Sequence, residues 1–372
     1  MLKIAHITRY YFPIVGGQQQ YILALNKLLQ RKGHETTVIQ PHVIPPSKEP
    51  GIFFTRPYPL TYRLSRFVQN VSWFLFNMEL NRCQSLLAAQ DVLICHYAFH
   101  YPPLKKFGKK VVVLSHGVLY AQKKEAYFDT YLAAQDKKVA KEGVTIVAND
   151  THFLRSIGIE VPVGEGYFQK VKPNVWFIPN CVDSAFFSPS ADIVKKDLIL
   201  VPRNIREDRG IHLAIEAFNL LAKRGNTCHL MIAGGPLHGK YFERCKELTT
   251  AYGLEEKVTF LGFNSTEHML RLYREAKLTL IPSLEKEGTS LSALESMACG
   301  TTVVATQVAG LQDLPCVHAS PNPESVANAI ENALENLDVF SEQQRKKVVD
   351  VFSISNWEEA WLNVIKQVHG KA

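Results

Sequence analysis

The sequence is poor in the features that mark secreted, disulfide-linked or membrane-embedded chains. Its seven cysteines are scattered and never form a CxxC pair, which argues against a disulfide framework and against a cysteine-rich zinc site. No apolar run approaches the roughly 18 residues that a transmembrane helix needs. The opening residues, MLKIAHITRYYFPI, predict a first β-strand rather than a signal peptide. We therefore expect a cytoplasmic protein.

Positive charge is concentrated in the first half of the chain. Residues 1–180 contain 22 Lys and Arg against 11 Asp and Glu, whereas residues 181–372 contain 20 against 24. A basic half favours an anionic partner such as a membrane leaflet or an acidic acceptor, although runs of charge are commonly just a solvated surface. No nucleic-acid-binding motif accompanies it, so we expect no nucleic-acid partner. The clusters are Lys105, Lys106, Lys109 and Lys110, then Lys123 and Lys124, then Lys137, Lys138 and Lys141.

Apolar strands alternate with amphipathic helices along all 372 residues, a length of about two domains. This alternation predicts parallel sheets covered on both faces by helices. The pattern runs twice, so we expect an α/β protein of two doubly wound, Rossmann-like domains facing each other across a cleft. The expected strands are 3–8, 34–39, 92–96, 111–115, 144–148 and 175–179 in the first half, and 198–201, 230–233, 258–261, 278–282 and 302–305 in the second.

The segment 60–80 is unusually aromatic and predicts a helix with one apolar stripe. The simpler interpretation is a core helix of the first domain. The alternative is an exposed apolar face that docks on lipid beside the basic clusters. The stripe consists of Leu60, Leu64, Phe67, Val68, Val71, Phe74, Leu75 and Met78.

The stretch 282–300, PSLEKEGTSLSALESMACG, carries the most specific signal. It predicts a loop followed by a helix, with Thr289 or Ser290 as the helix cap. The backbone N–H groups of Gly288 to Leu291 would then form an anion-binding site at the helix start.

Two carboxylates accompany this anion-binding site. Glu287 lies in the loop, and Glu295 lies two helical turns further on. A carboxylate beside a phosphate is unfavourable unless it binds hydroxyl groups, so the pair suits a sugar and a ribose on either side of a diphosphate. Taken alone, Glu295 would be a solvated helix residue.

A second constellation, Arg203 to Arg209, follows the strand LILV. Guanidinium groups at the carboxyl end of a strand suit a diphosphate leaving group. The alternative is a local salt bridge from Arg206 or Arg209 to Glu207 or Asp208.

Two weaker signals lie in the first half. Gly16 and Gly17 follow the first strand and allow backbone to approach a ligand closely. His116 follows an apolar strand, where it is either a site residue or a satisfied structural histidine. The motif GGPLHGK at 234–240 nearly spells a P-loop, but Tyr241 replaces the Ser or Thr that binds magnesium, which argues against an ATPase.

With these residues in view, the chain resembles the retaining, nucleotide-sugar-dependent glycosyltransferases of family GT4 and GT-B fold. EGTSLSALESMACGTTVVAT is similar to their E-x7-E signature, VPRNIREDRGIHLAIEAF to their arginine-containing loop, and IPNCVDSAFFSP to their interdomain segment. NWEEAWLNVI resembles the helix that crosses back onto the first domain. The resemblance implies an acceptor-side domain at 1–185, completed by a crossing helix at 355–372, and a donor-binding domain at 186–354.

The resemblance also implies roles for individual residues. Glu287 would bind the hydroxyls of the donor sugar, and Glu295 the ribose. Arg203 would bind the diphosphate, as would Arg209, which stands where lysine is usual. His116 would lie beside the transferred sugar.

Further donor and acceptor contacts follow from the same resemblance. Gly16 and Gly17 match the loop that closes on the donor phosphates. Gln19 resembles an acceptor-side residue of phosphatidylinositol mannosyltransferase-like members. The helix start Gly288, Thr289, Ser290 and Leu291 would bind the donor, with Thr289 and Ser290 in place of the family's frequent Phe and Gly.

The implied reaction moves a hexose from a nucleotide-diphosphate sugar to a hydroxyl acceptor with retention of configuration. We expect no metal and no other cofactor, since no DxD-like pair is present. Because Asn264 rather than a carboxylate follows strand 258–261, we expect a UDP-sugar in preference to a GDP-sugar. The basic first half favours a membrane-borne or acidic acceptor, in polysaccharide or glycolipid synthesis at the inner face of the membrane.

Two other functions stay open at the level of sequence. One is a nucleotide-sugar epimerase or phosphorylase of the same fold, against which the E-x7-E signature argues. The other is a catalytically inactive, membrane-docked or nucleic-acid-binding protein, against which the intact Arg203, Glu287 and Glu295 argue. The sequence does not indicate an oligomeric state.

Overall fold

The computed structural model describes residues 1–12, 16–41, 51–55, 66–118 and 127–370. It divides into two compact units. The N-terminal unit is Met1–Ile178 with Glu358–Ala372, and the C-terminal unit is Pro179–Trp357. The domain boundaries expected from the sequence were 185/186 and 354/355.

The N-terminal unit is a doubly wound α/β unit. Its described residues form an eight-stranded sheet in the order β3-β2-β1-β4-β5-β6-β8-β7, parallel except for antiparallel β7. The strands are β1 (Lys3–Ile7), β2 (Glu35–Gln40), β3 (Ile52–Phe54), β4 (Val92–His96), β5 (Val111–Ser115), β6 (Thr145–Ala148), β7 (Gln169–Lys172) and β8 (Val175–Phe177). The helices are α1 (Gly17–Arg31), α2 (Arg66–Arg82), α3 (Gln84–Ala88), α4 (Tyr127–Ala140) and α5 (Thr151–Ser156), with 3-10 turns at Ala98–His100 and Pro102–Lys110.

The C-terminal unit repeats this plan with six parallel strands in the order β11-β10-β9-β12-β13-β14. The strands are β9 (Lys196–Val201), β10 (His229–Ile232), β11 (Val258–Phe260), β12 (Ala276–Ile281), β13 (Thr302–Thr306) and β14 (Val317–Ala319). The helices are α6 (Ile211–Lys223), α7 (Lys240–Ala251), α8 (Thr266–Glu275), α9 (Leu291–Ala298), α10 (Pro323–Glu335), α11 (Leu337–Val351) and α12 (Ile354–His369), which belongs to the N-terminal unit from Glu358 onward. Short 3-10 turns span Glu207–Arg209 and Ala309–Asp313.

The central strands are buried along their whole length. Every residue of β4, β5 and β13 is buried, as expected for parallel strands that carry helices on both faces. The parallel sheets predicted from the sequence are therefore confirmed, whereas the short strands β3, β7 and β14 were not foreseen. Among the parallel strands of each unit the sheet order reverses at one point, between β1 and β4 in the first unit and between β9 and β12 in the second. Ligands of doubly wound sheets bind outside the carboxyl ends of the strands at such reversals.

The helix predicted within 60–80 contributes to the core, as the simpler interpretation expected, but its buried face is not the predicted apolar stripe. The helix in this region, α2, buries Phe76 and Leu80 completely, whereas Val71, Phe74 and Met78 are exposed. The error arose because several faces of α2 are apolar, so helical spacing alone did not select the buried one. Of the remaining stripe residues, Leu60 and Leu64 lie outside the described residues, as do Lys123 and Lys124 of the basic clusters, and the side chains of Phe67, Val68 and Lys109 are likewise not described.

Candidate functional site

Glycines allow the loops at the C-terminal unit's sheet reversal to pack backbone against backbone. A Cβ on Gly210 would lie 1.9 Å from the carbonyl oxygen of Pro282, and one on Gly234 would lie 2.2 Å from that of Arg203. Gly210 also has a φ of +67°, which disfavours other residues. Gly234 belongs to the near-P-loop motif, so part of that motif supports the Arg203 loop.

Arg203 and Arg209 converge on the carboxylate of Glu287. Both guanidinium groups donate to Glu287 Oε2, and Ser283 Oγ donates to the same oxygen at 2.9 Å. The side chains of Arg203 and Glu287 are each 10% exposed. Burial lowers the pKa of Arg203, an effect that the Glu287 charge opposes. The sequence therefore placed these three residues at one site, and the structure joins them in one network.

Arg203, Arg206 and Arg209 form an arginine cluster in which positive charge exceeds negative charge. Arg209 also lies 3.6 Å from Asp208, which forms a 2.9 Å ion pair with Arg206, so the predicted local salt bridge exists beside the contact with Glu287. Three arginines thus face two carboxylates. Arg203 Nε is buried without a hydrogen-bond partner in the described chain. A cluster with surplus cation and an unused buried donor is suited to bind an anion.

The start of α9 lies at the same place. Ser290 occupies the cap position, but its side chain makes no capping hydrogen bond, and Thr289 Oγ1 instead accepts from the backbone N–H of Asn180 at 2.8 Å. Ser290 is therefore the cap residue, as predicted, but the capping hydrogen bond expected from its side chain is absent. Ser290 Oγ lies 3.4 Å from Arg203 Nη1 and 3.1 Å from Ser292 Oγ. The helix start, from Gly288 to Leu291, thus adjoins the arginine cluster without a capping side chain.

Glu295 is held by a tyrosine that sequence reasoning missed. Tyr273 Oη, on α8, donates to Glu295 Oε2 at 2.9 Å, and Tyr273 is almost fully buried. Burial raises the pKa of Glu295 to about 7, while the Tyr273 hydrogen bond works in the opposite direction. A carboxyl group that is only partly ionised near neutral pH can accept from one hydroxyl of a diol and donate to the other. No local motif marks Tyr273, because its role depends on the packing of α8 against α9.

Among the predicted site residues of the N-terminal unit, His116 is held by contacts with two aromatic rings, His96 and Tyr21. It follows β5, and its Nε2 lies 2.7 Å from Nδ1 of His96, with the planes of the two rings inclined by only 8°. Tyr21 on α1 meets its ring edge-on, with centroids 5.2 Å apart. Burial lowers the pKa of His116 to about 3, so the ring is neutral at physiological pH.

The other predicted residues of this unit lie at the start of α1. Gly17 is its first residue and Gly16 occupies the cap position. The side-chain hydrogen bonds at this point come from Gln18, which donates to Thr8 Oγ1 at 3.0 Å and accepts from Tyr97 Oη at 3.1 Å. Gln19, chosen from the sequence, is half-buried, and Gln18 is the residue that ties α1 to the strand ends.

The structure thus groups the predicted residues into two sets. Arg203, Arg209, Glu287, the helix start at 288–291 and Glu295 lie in the C-terminal unit, and Gly16, Gly17, Gln19 and His116 in the N-terminal unit. The part of the chain that the structure describes contains no group of three or more His, Cys, Asp or Glu arranged to hold a metal ion. Among the described residues, no helix has the length and apolar character needed to cross a membrane.

An arginine pair, an uncapped helix start and two carboxylates at the reversal of a doubly wound sheet define a domain suited to a diphosphate with polyols on either side. Two family models match the chain: the model described as glycosyl transferases group 1 matches residues 184–348, and that described as glycosyltransferase family 4 matches residues 15–158. The protein belongs to the family 4 glycosyltransferases of GT-B fold, and it is a glycosyltransferase.

Relatives match this chain over nearly its whole length, and solved structures share its fold. An uncharacterized glycosyltransferase of Methanocaldococcus jannaschii is 27% identical and covers 98% of each chain. A phosphatidylinositol N-acetylglucosaminyltransferase component from Arabidopsis thaliana is 23% identical over 96% of this chain and 79% of its own. Sucrose-phosphate synthase from Thermosynechococcus elongatus has a TM-score of 0.80 at 18% identity, with full coverage of both chains. HepE of Anabaena, solved with UDP, has a TM-score of 0.74 at 15% identity, covering 98% of this chain and 100% of its own. The expected fold class is confirmed.

Proposed function

We propose that this protein is a retaining glycosyltransferase that moves a hexose from a UDP-sugar to a hydroxyl group without help from a metal ion. The observation that carries the proposal is the convergence of Arg203 and Arg209 on Glu287 beside the start of α9. Breaking the bond between sugar and phosphate places negative charge on the leaving diphosphate. Two fixed guanidinium groups and backbone N–H groups stabilise that charge where it develops.

Donor binding in this proposal is an exchange of partners. Without a donor, both guanidiniums pair with the single carboxylate of Glu287. When a diphosphate arrives, it takes the place of the carboxylate, and Arg203 Nε gains the partner that it lacks. Glu287 is then released to accept hydrogen bonds from hydroxyls of the donor sugar. Glu295, oriented by Tyr273, binds the ribose hydroxyls.

Retention follows when the acceptor attacks from the face that the diphosphate leaves. The acceptor oxygen bonds to the anomeric carbon as the bond from that carbon to the diphosphate oxygen breaks, and the proton of the acceptor hydroxyl passes to the diphosphate. His116, being neutral, forms a hydrogen bond to the transferred sugar rather than an ion pair with the phosphates.

Uridine is supported as the donor base by Asn264. Its Nδ2 donates to the carbonyl oxygen of Gly262 at 2.8 Å, so its Oδ1 is the acceptor it offers a base. Uracil presents a single ring N–H, whereas guanine presents two N–H groups that suit a carboxylate. The UDP complex of HepE supports the same choice.

A membrane-borne acceptor is supported by exposed apolar side chains in the N-terminal unit. Phe74 and Met78 on α2 are 46% and 53% exposed, and Tyr131 on α4 is 37% exposed. Phe74 and Tyr131 lie together, with ring centroids 6.0 Å apart, and α4 carries the exposed Lys137 and Lys138. Aromatic side chains beside lysines bind the surface of an anionic leaflet. We place the enzyme there, in glycolipid or surface-polysaccharide synthesis.

The test is a transfer assay with UDP-, GDP- and ADP-hexoses, in EDTA, with polar lipid extract as acceptor. We expect UDP release and a labelled lipid whose anomeric configuration, read by NMR, matches that of the donor. Glu287→Gln removes activity, and Glu285→Gln, which changes an exposed neighbour, retains it. An epimerised nucleotide sugar with no acceptor-dependent product would overturn the proposal in favour of an epimerase, and inverted configuration would overturn retention.

A further inference from the structure

Three histidine rings form a row through the sheet of the N-terminal unit. His6 is on β1, His96 ends β4 and His116 follows β5, and these three strands are neighbours in the sheet. His6 Nδ1 lies 3.1 Å from His96 Nε2, and His96 Nδ1 lies 2.7 Å from His116 Nε2. Both His6 and His96 are completely buried. The central ring, His96, thus uses both of its nitrogens, and each outer ring uses one.

The row places two polar imidazole rings in the core of the sheet, where apolar side chains are usual. Apart from Lys3 and Ser115, the other residues of β1, β4 and β5 are apolar, with sequences KIAHI, VLICH and VVVLS. Burying imidazoles costs more free energy than burying alkyl groups unless their hydrogen bonds are made. The row makes its two hydrogen bonds between the rings, ends in a buried His6 nitrogen without a partner in the described chain, and opens at the half-buried His116. The pattern points to a function at the His116 end.

The proton positions of the three rings are coupled. Burial lowers the pKa of each, so all three are neutral at physiological pH and each has one N–H donor and one acceptor nitrogen. Two arrangements satisfy both hydrogen bonds. Either every ring carries its proton on Nδ1, or every ring carries it on Nε2.

The buried end of the row selects between these arrangements. His6 Nε2 is buried with no hydrogen-bond partner in the described part of the chain. A buried N–H without an acceptor is rarer in proteins than an acceptor without a donor. This favours a bare Nε2 on His6 and hence the Nδ1–H form of all three rings. Free imidazole side chains in water prefer the opposite, Nε2–H form.

We propose that His96, backed by His6, is a positioning residue that holds His116 in its Nδ1–H tautomer and thereby makes it a fixed hydrogen-bond donor to the transferred sugar. The sugar contact rests on the proposed function, whereas the tautomer does not. The nearly coplanar hydrogen bond to His96 and the edge contact from Tyr21 fix the plane of the His116 ring. The hydrogen bond from His96 fixes which nitrogen carries the proton.

The experiment reads the tautomers directly in the donor-free protein labelled with ¹⁵N-histidine. Two-bond ¹⁵N–¹H correlation spectra of wild type, His96→Phe and the control His318→Gln, with signals assigned from single His variants, report which nitrogen of His116 is protonated. We expect Nδ1–H in wild type and in the control. In His96→Phe, we expect a shift to the Nε2–H form that dominates in water.

Activity is measured on the same three proteins. We expect His96→Phe to lower kcat roughly 10- to 100-fold with little change in the KM of the nucleotide sugar. An Nε2–H form of His116 in wild type would overturn the proposal even if His96→Phe does not fold. An unchanged tautomer or an unchanged kcat in a folded His96→Phe would also overturn it. Wild-type protein that shows the Nδ1–H tautomer but no transferase activity contradicts the proposed function and leaves the tautomer assignment standing.

Discussion

Arg203 and Glu287 lie 84 residues apart in the sequence, yet they form a buried ion pair at the sheet reversal of the C-terminal unit. The pair joins the loop after β9 to the loop after β12, and Arg209 donates to the same carboxylate. Breaking a buried pair by removing one partner leaves an uncompensated charge. The site is therefore held together by the same interaction that we expect the donor to displace.

Glu287→Gln is expected to destabilise the free protein by about 3 kcal/mol, because two guanidiniums lose their charged partner. UDP supplies the missing negative charge, so it should raise the melting temperature of the variant more than that of wild type. Thermal unfolding with and without UDP measures both effects. Glu285→Gln is the control, and an equal UDP shift in Glu287→Gln and wild type would contradict the exchange of partners.

Gly210→Ala is expected to cost roughly 3 kcal/mol or more, since its Cβ would overlap the Pro282 carbonyl and the loops must separate. Gly253 has nearly the same φ, +64° against +67°, but nothing lies within 4 Å of a Cβ there. Gly253→Ala should therefore cost only about 1–2 kcal/mol of backbone strain. Urea unfolding compares the two variants. Similar losses in the free energy of unfolding would contradict a stabilising contact between the two loops.

The stability contributed by Glu295 should depend on pH. Its carboxyl titrates near 4.5 when unfolded, whereas burial raises the folded pKa to about 7. Between these values the folded protein binds more protons, so this residue's contribution falls as pH rises through that window. Glu295→Gln should lose stability relative to wild type at pH 5 and regain it by pH 7.5. The exposed Glu256→Gln serves as control, and a pH-independent difference in urea unfolding between wild type and Glu295→Gln would refute the raised pKa.

Phe74→Glu is expected to weaken binding to vesicles that contain anionic lipid, because it places a charge among exposed apolar side chains. Vesicle co-sedimentation at two salt concentrations measures this. Val339 in the C-terminal unit is 54% exposed, so Val339→Glu is a matched control. Equal sedimentation of the two variants would argue against a membrane-facing α2.

Both parallel sheets could be predicted from the sequence, whereas several residues that position the site could not. Continuous apolar strands such as Val92–His96 gave both parallel sheets, because only strands covered on both faces have that pattern. The exposed face of α2 was only the alternative interpretation of the sequence, since an aromatic helix has several apolar faces. Tyr273 and His96 could not be found either, because each acts on a residue far along the chain through tertiary packing. Arg203, Arg209 and Glu287 were found because strand ends at a sheet reversal lie close together.

The most direct test of the account is the affinity of UDP measured by calorimetry in EDTA for wild type, Arg203→Ala and Arg244→Ala. Arg244 is an exposed arginine of the same unit, 55% exposed and paired with Glu207. We predict that UDP binds wild type and Arg244→Ala alike, and that Arg203→Ala binds it roughly 10- to 100-fold more weakly, since hydrogen bonds between charged groups are lost. UDP binding that is unchanged in Arg203→Ala, or that appears only when a divalent cation is added, would contradict the account.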